Sequence, residues 1–416
     1  MTEKTQAYSI SVPRRLKATV SLPASKSISN RALVISALAG GKTVDNLSDC
    51  DDTAVMVKAL DGMPSTIDIG AAGTAMRFLT ALLAVTPGEH TITGTERMRH
   101  RPIGVLVDAL RALGAEADYA GEEGFPPLHI RGRRLSGGTV DIPGSVSSQY
   151  ISALLMVAPT FGGGLTLHLT GDIVSRPYID LTLGMMRAFG AEAGWASADT
   201  LRVEGKPYEA RPYRVESDWS AASYWFEMVA VSADPLAEVT LTGLAEQSGQ
   251  GDAAVADIFR KLGVGAQFTA VGPAGTPTVR LFKQGAPVAQ LSLDFVACPD
   301  LAQTVAVTCA LLGVHFHFTG LQSLRIKETD RIEALKRELR KLGCVASDAG
   351  GSELLWHGER CSAAAPPVID TYEDHRMAMA FAPAAALHPG LVINRPMVVT
   401  KSYPHFWDEV FKVREV

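Results

Sequence analysis

The feature that most constrains this chain is that it repeats itself. A helix rich in small residues, with polar or charged residues at its start, occurs six times: KSISNRALVISALAGG (26–41), GTAMRFLTALLAV (73–85), SSQYISALLMVAPTFGG (147–163), SDWSAASYWFEMVAV (217–231), PDLAQTVAVTCALLG (299–313) and EDHRMAMAFAPAAAL (373–387). A second helix type is amphipathic and ends in glycine before a strand: VLVDALRALGAEA, LTLGMMRAFGAEA, AVADIFRKLGVGA and RIEALKRELRKLGCVA. Apolar residues at i, i+3, i+4 and i+7 give one buried stripe, and the glycine suits a left-handed C-terminal cap. Alternating segments such as LHIRG, GGTVDIPG and YRVES read as strands between them. Each unit reads β-α-β-α-β-β. Unit starts fall near residues 73, 147, 218, 300 and 374, roughly 70 to 80 residues apart, and the C-terminus joined to the N-terminus completes another such interval. Three units per domain follow, with the N-terminal segment completing the domain that holds the C-terminus. One unit breaks the rhythm: VKALDGMPSTIDIGAAGT (57–74) runs from an amphipathic helix almost directly into the next small-residue helix, so the first unit is truncated and its sheet is expected to be small.

The bulk properties agree. At 416 residues the chain exceeds one usual core, so two domains are expected. A net charge of -5 argues against general nucleic-acid or membrane-surface binding, so any anion site must be a local cluster of cations. Five cysteines form no CxxC pair, which fits a reducing compartment without structural zinc. No signal-peptide pattern or membrane-spanning apolar run is visible, and cytoplasmic location is the expectation.

Several helix starts carry residues suited to anions: Lys26, Ser27 and Arg31; Thr74 and Arg77; Ser147, Ser148 and Gln149; Asp374, His375 and Arg376. A helix N-terminus offers unsatisfied N–H groups and about half a positive charge. Capping by Ser, Thr or Asp explains Asp218 and Ser220. It does not explain Lys26, Arg31, Arg77 and Arg376, because a cation there opposes the helix dipole by about 0.3–1 kcal/mol. Such placements point to bound phosphate or carboxylate. Other signals are weak. GGKT (40–43) follows a helix and lacks the first glycine of a phosphate loop, and His315 and His317 read as a packed or solvated pair rather than a metal site.

The segments SLRIKETDRIEAL (323–335), TYEDHRMAMAF (371–381) and SSQYISALLM (147–156), with PASKSISNRAL, GTAMR, ERMRHRPIG, VSRPYID and VTKSYP, resemble the EPSP synthase family of enolpyruvyl transferases from about residue 22 to 405. The resemblance implies a two-domain inside-out α/β barrel of six β-α-β-α-β-β units. One domain would comprise residues 1–24 and 247–416 and the other residues 25–246, with the active site in the interdomain cleft. It implies transfer of the enolpyruvyl group of phosphoenolpyruvate to the 5-hydroxyl of shikimate 3-phosphate, by a cytoplasmic monomer with no cofactor, no metal, no nucleic acid and no membrane partner.

Carried over residue by residue, the resemblance assigns Lys26, Gly73, Arg101, Gln149, Arg331, Arg376 and Lys401 to phosphoenolpyruvate. It assigns Lys26, Ser27, Arg31, Ser147, Ser148, Gln149, Ser175, Tyr178, Asp300, Ser323 and Lys327 to shikimate 3-phosphate. Asp300, Glu328 and Lys26 take the proton-transfer roles. Read without the family, Glu328 and Arg331 are an i, i+3 surface ion pair on a helix, Asp330 is structural, and Met377 and Met379 fill core. Three departures stand out: Ala71 where the family usually has Asn, Ser323 where it often has Asn, and the missing strand pair of the first unit. The related UDP-N-acetylglucosamine enolpyruvyl transferase reading is disfavoured by SKSISNR and SSQ. A non-catalytic anion-binding scaffold is disfavoured by joint retention of Lys26, Asp300, Glu328 and Arg376.

Overall fold

The structure, a computed structural model, describes residues 7–13, 15–41, 43–271 and 275–413. The chain divides into two units, one of Ala24–Val215, the other of the described residues through Pro23 together with those from Glu216 onward. Each has its own apolar core.

One sheet pattern recurs. In the Ala24–Val215 unit, four strands lie in the spatial order Thr66–Asp68, Gly88–Thr93, Leu128–Gly132, Glu116–Tyr119, and four more in the order Gly138–Pro143, Leu165–Thr170, Thr200–Val203, Ala193–Trp195. The first pair in each sheet is parallel and the other two pairs are antiparallel. A parallel pair needs a crossover, and the small-residue helices Gly73–Val85 and Ser148–Val157 supply it. The second unit repeats the order with Lys17–Ser21, Glu238–Thr242, Thr278–Lys283, Val264–Thr269 and with Gln290–Asp294, His315–Thr319, Glu353–Trp356, Ser347–Ala349. Each unit closes with a smaller sheet: Val44–Asp45 with Tyr213–Arg214 in one, and Ala7–Ser9, Val392–Asn394, Val368–Ile369 in the other. The truncated first unit thus has a two-stranded sheet, and YRVES contributes only Tyr213 and Arg214 to it.

The small-residue helices lie inside and the sheets outside. Every residue from Gly73 to Ala84 is buried, as is every residue of Trp219–Val231 except Ser220. A helix apolar on all sides is stable only when packed on all sides. The amphipathic helices each bury one stripe, and the glycines after them, Gly114, Gly190, Gly263 and Gly343, all have positive φ. Polar side chains interrupt the inner layer of the second unit, Glu227 among them. Glu227, on Trp219–Val231, is fully buried, and neither carboxylate oxygen accepts a hydrogen bond among the described residues. The neighbouring Thr308 hydroxyl donates instead to the Thr304 carbonyl at 2.8 Å.

The expected border near residue 247 is corrected to Val215/Glu216. Strand Glu238–Thr242 lies between Lys17–Ser21 and Thr278–Lys283, with Leu241 opposite Val20 and Val279. The helix before it, Trp219–Val231, packs on Ala302–Leu312 in the same core. Counting repeat starts could not reveal this, because the strand paired with Glu238–Thr242 comes from the far N-terminus. Among the described residues, no helix is long and apolar enough to cross a membrane.

Candidate active site

In the Ala24–Val215 unit, three inner helices bring the anion-binding candidates together. Lys26 opens the helix Lys26–Leu38, and its Nζ lies 3.2 Å from Asp52 Oδ2. One turn on, Arg31 is only 2% exposed. It donates from Nε to Thr182 Oγ1 at 2.7 Å, from Nη2 to Ser152 Oγ at 3.2 Å and from Nη1 to the Ser27 carbonyl at 3.0 Å, and its guanidinium lies over Phe78. Burial pulls its pKa down to about 10, against a smaller upward pull from Tyr178. Tyr178 is half-buried on the helix Arg176–Ala188, whose N-cap is Ser175 in a left-handed conformation with φ 55. Ser147 caps the helix Ser148–Val157 by accepting from the Gln149 amide, and the Gln149 side chain donates to Thr74 Oγ1 at 3.1 Å.

Gly73 sits close against two arginine side chains. A Cβ there would meet Arg77 Nη1 at 2.6 Å and Arg101 Nη1 at 2.7 Å. Two guanidinium groups therefore converge at the start of Gly73–Val85. Arg77 is buried, bonded through Nη1 to the Gly73 carbonyl at 2.9 Å and through Nη2 to Tyr150 Oη at 3.5 Å, while its Nε has no partner among the described residues. Ala71, where the family usually has Asn, sits exposed in the preceding turn.

In the other unit, charged groups form one continuous network with Arg331 at its centre. Arg331, 2% exposed, donates to Asp300 Oδ1 at 2.9 Å, Glu328 Oε2 at 2.9 Å and Asp374 Oδ2 at 2.6 Å. Asp300 also meets Arg376 Nη2 at 2.9 Å and Lys327 Nζ at 3.7 Å. Glu328 meets Lys401 Nζ at 2.8 Å. Burial alone would raise the Asp300 pKa, but Arg376, Lys327 and Arg331 together hold it well below the usual carboxylate range. For Lys327 the pull of Asp300 is outweighed by burial and the neighbouring arginines, and its pKa falls. Arg331 is held charged by its three carboxylates despite burial. Ser323 lies in the short turn Gln322–Ile326 that leads into this segment.

The geometry corrects one expectation and adds three residues. Glu328 is not on a helix; the helix starts at Arg331, capped by Asp330, whose side chain accepts from the Ile332 and Glu333 amides. The Glu328–Arg331 contact is accordingly a buried network bond rather than a surface pair. Asp374, read as one of several polar residues at a helix start, both caps His375–Phe381 and holds Arg331. Ser220, read as a cap, donates to Asp252 and lies 3.4 Å from Arg376 Nη2, while Asp218 does the capping. Asp252 is buried and pushed up to about 6, first by burial and then by the charge of Asp300. No local pattern distinguished Asp252 from an ordinary polar residue before an amphipathic helix. Met377 and Met379 are core, and among the described residues no group of three or more metal-ligating side chains is placed to hold an ion.

Residues 10–67 and 63–410 match the family described as EPSP synthase (3-phosphoshikimate 1-carboxyvinyltransferase). A 3-phosphoshikimate 1-carboxyvinyltransferase of Bacteroides fragilis is 59% identical over 406 residues, covering 97% of each chain. The chain belongs to the EPSP synthase family. A more distant family member, the 3-phosphoshikimate 1-carboxyvinyltransferase of Shewanella halifaxensis, is 37% identical and covers 95% of this chain and 96% of its own. The fold is likewise that of a solved EPSP synthase from Acinetobacter baumannii, with a TM-score of 0.79 at 22% identity over 99% of this chain and 98% of that one.

Proposed function

We infer that this chain is a working 3-phosphoshikimate 1-carboxyvinyltransferase of the shikimate pathway: it transfers the enolpyruvyl group of phosphoenolpyruvate to the 5-hydroxyl of shikimate 3-phosphate and releases phosphate. Family membership supplies the reaction. The observation that supports an active enzyme rather than a binding scaffold is the buried network of Asp300, Glu328, Lys327, Arg331, Arg376 and Lys401.

The reaction brings two multiply charged anions together. At about 4 Å each pair of unit charges repels by roughly 4 kcal/mol at an effective dielectric of 20, so a dense cationic set is required. We assign Lys26, Gly73, Arg101, Gln149, Arg331, Arg376 and Lys401 to phosphoenolpyruvate. Lys26, Ser27, Arg31, Ser147, Ser148, Gln149, Ser175, Tyr178, Asp300, Ser323 and Lys327 we assign to shikimate 3-phosphate. Arg31 suits a phosphate because its buried charge is bonded to hydroxyls and a carbonyl in the contacts described above.

Proton transfer falls to Asp300 and Glu328, with Lys26 as a further carrier. Without substrate, Asp300 is a weak base, because three cations hold it ionised. A substrate anion on Arg376, Arg331 and Lys327 competes for those cations and raises the proton affinity of Asp300 toward the range a general base needs. Asp300 then takes the hydroxyl proton, and Glu328 gives a proton to the methylene carbon. The tetrahedral intermediate loses phosphate by C–O cleavage, and a methyl proton returns to the protein. In this reading the enzyme acts as a cytoplasmic monomer.

The test is phosphate release with shikimate 3-phosphate or UDP-N-acetylglucosamine as acceptor, using phosphoenolpyruvate labelled with oxygen-18 in the bridging position. Label in inorganic phosphate, deuterium in the product vinyl group from deuterated water, and turnover with the shikimate acceptor alone are expected. Label retained in the organic product means P–O cleavage and removes Asp300 and Glu328 from the proposed roles.

A further inference from the structure

Immediately before Asp374, two consecutive non-glycine residues, Tyr372 and Glu373, have φ of 53 and 57. Side chains disfavour this left-handed region, and two such residues in succession persist only where surrounding contacts hold them. Two groups hold this turn: Arg395 pairs with Glu373 at 3.1 Å, and Glu338, fully buried on the helix Arg331–Lys341, holds Tyr372 and Asp370. Glu338 Oε1 accepts from the Tyr372 hydroxyl at 2.6 Å, and Oε2 accepts from the Asp370 amide at 3.0 Å and pairs with Lys341 at 2.7 Å. Burial, then the adjacent Glu338 carboxylate, push the Tyr372 phenol pKa up, so it stays a donor.

Arg331 and Glu338 are seven residues apart on one helix, hence on the same face and roughly 10 Å apart along the axis. Arg331 holds Asp374 and Glu338 holds Tyr372 and Asp370, so a single helix grips the 370–374 turn at both ends. The turn delivers Asp374 as the cap of His375–Phe381, whose second residue is Arg376. We propose that Tyr372, through its hydroxyl on Glu338, is a positioning residue: it fixes the turn that ends in Asp374 and thereby aims Arg376 at phosphoenolpyruvate. Tyr372 itself touches neither substrate. The inference rests on the assignment of Arg376 to phosphoenolpyruvate above.

The test compares full-length Tyr372→Phe, Tyr372→Phe/Glu373→Gly, Glu338→Gln and Arg376→Ala. Tyr372→Phe removes one hydrogen bond to a charged group, and KM for phosphoenolpyruvate is expected to rise about tenfold, while Kd for shikimate 3-phosphate alone stays within about twofold of wild type. Glycine adopts φ near the Glu373 value without cost, so the added Glu373→Gly is expected to recover at least about threefold of the loss. A role in stability alone moves Tm and shows neither the selective KM effect nor the rescue. Should Tyr372→Phe fail to fold, Glu338→Gln, which leaves one acceptor oxygen where Tyr372 and the Asp370 amide each need one, is expected to show the same selective rise. Wild-type KM in the folded variants, alongside lost phosphoenolpyruvate binding in Arg376→Ala, overturns the positioning role and leaves the Arg376 assignment standing. Wild-type phosphoenolpyruvate affinity in Arg376→Ala overturns both.

Discussion

Adding one methyl group at Gly73 tests the convergence of Arg77 and Arg101. The new Cβ would lie 2.6 Å from Arg77 Nη1 and 2.7 Å from Arg101 Nη1, with Arg101 Cζ at 3.0 Å. Non-bonded heavy atoms settle near about 3.5 Å, so each guanidinium must retreat by roughly 0.8–0.9 Å. Arg77 has little freedom, being buried, bonded to the Gly73 carbonyl and stacked over Tyr150 with 5.4 Å to the ring centroid. Arg101, which is only half-buried, takes most of the displacement. A charge-assisted hydrogen bond stretched by that much is effectively lost, at about 1.5–3 kcal/mol, or a factor of roughly 10–150 in affinity. Gly73→Ala is therefore expected to raise KM for phosphoenolpyruvate at least about tenfold in a phosphate-release assay. Shikimate 3-phosphate titrated calorimetrically should bind as in wild type, because Arg31, Ser152 and Thr182 are untouched. Because Arg77 is buried and bonded to the Gly73 carbonyl, its forced shift should lower Tm as well. Unchanged KM for phosphoenolpyruvate, or an equal loss for both ligands, refutes the assignment of Gly73 and Arg101 to the phosphoenolpyruvate subsite.

Arg331→Met leaves Asp300, Glu328 and Asp374 without their shared partner and is expected to cost about 3–5 kcal/mol in urea denaturation at pH 7. Asp300 has a depressed folded pKa, so its contribution is fully present above its unfolded value of about 3.9 and is lost as pH falls through the folded value; the penalty should hold level down to about pH 4 and shrink below it, and a penalty unchanged below about pH 4 counts against the network. Glu227 has the opposite sign. Burial raises its folded pKa well above the usual range, so its stability is full below about pH 4.3 and declines as pH rises toward the folded value. Glu227→Gln should match wild type near pH 4 and exceed it increasingly above, by up to about 1.4 kcal/mol per pH unit; parallel denaturation profiles from pH 4 to 8 would show that Glu227 does not titrate this way.

Much of the architecture is local information. The alternation of small-residue and amphipathic helices, the glycine after each amphipathic helix, and the missing strand pair of the first unit all follow from composition over a few turns of chain, and each appears in the fold. So do the charged helix starts, because a cation opposing a helix dipole needs a reason that is visible without coordinates. The family resemblance added residue assignments such as Asp300 and Arg101 that spacing alone does not supply.

What tertiary structure decided is pairing. The domain border moved because Glu238–Thr242 pairs with Lys17–Ser21, some 220 residues earlier, and a strand's own sequence does not name its partner. Ser220 and Asp252 looked like ordinary helix-start residues, and only their shared burial beside Arg376 and Asp300 gives them another role. Glu328 and Arg331 showed their closeness through a separation of three residues, but Asp300 and Asp374 reach the same guanidinium from 31 and 43 residues away. Electrostatic energy depends on distance in space and on burial. The sequence therefore specifies which charges exist, and the fold determines which of them lie close enough, and dry enough, to hold one another.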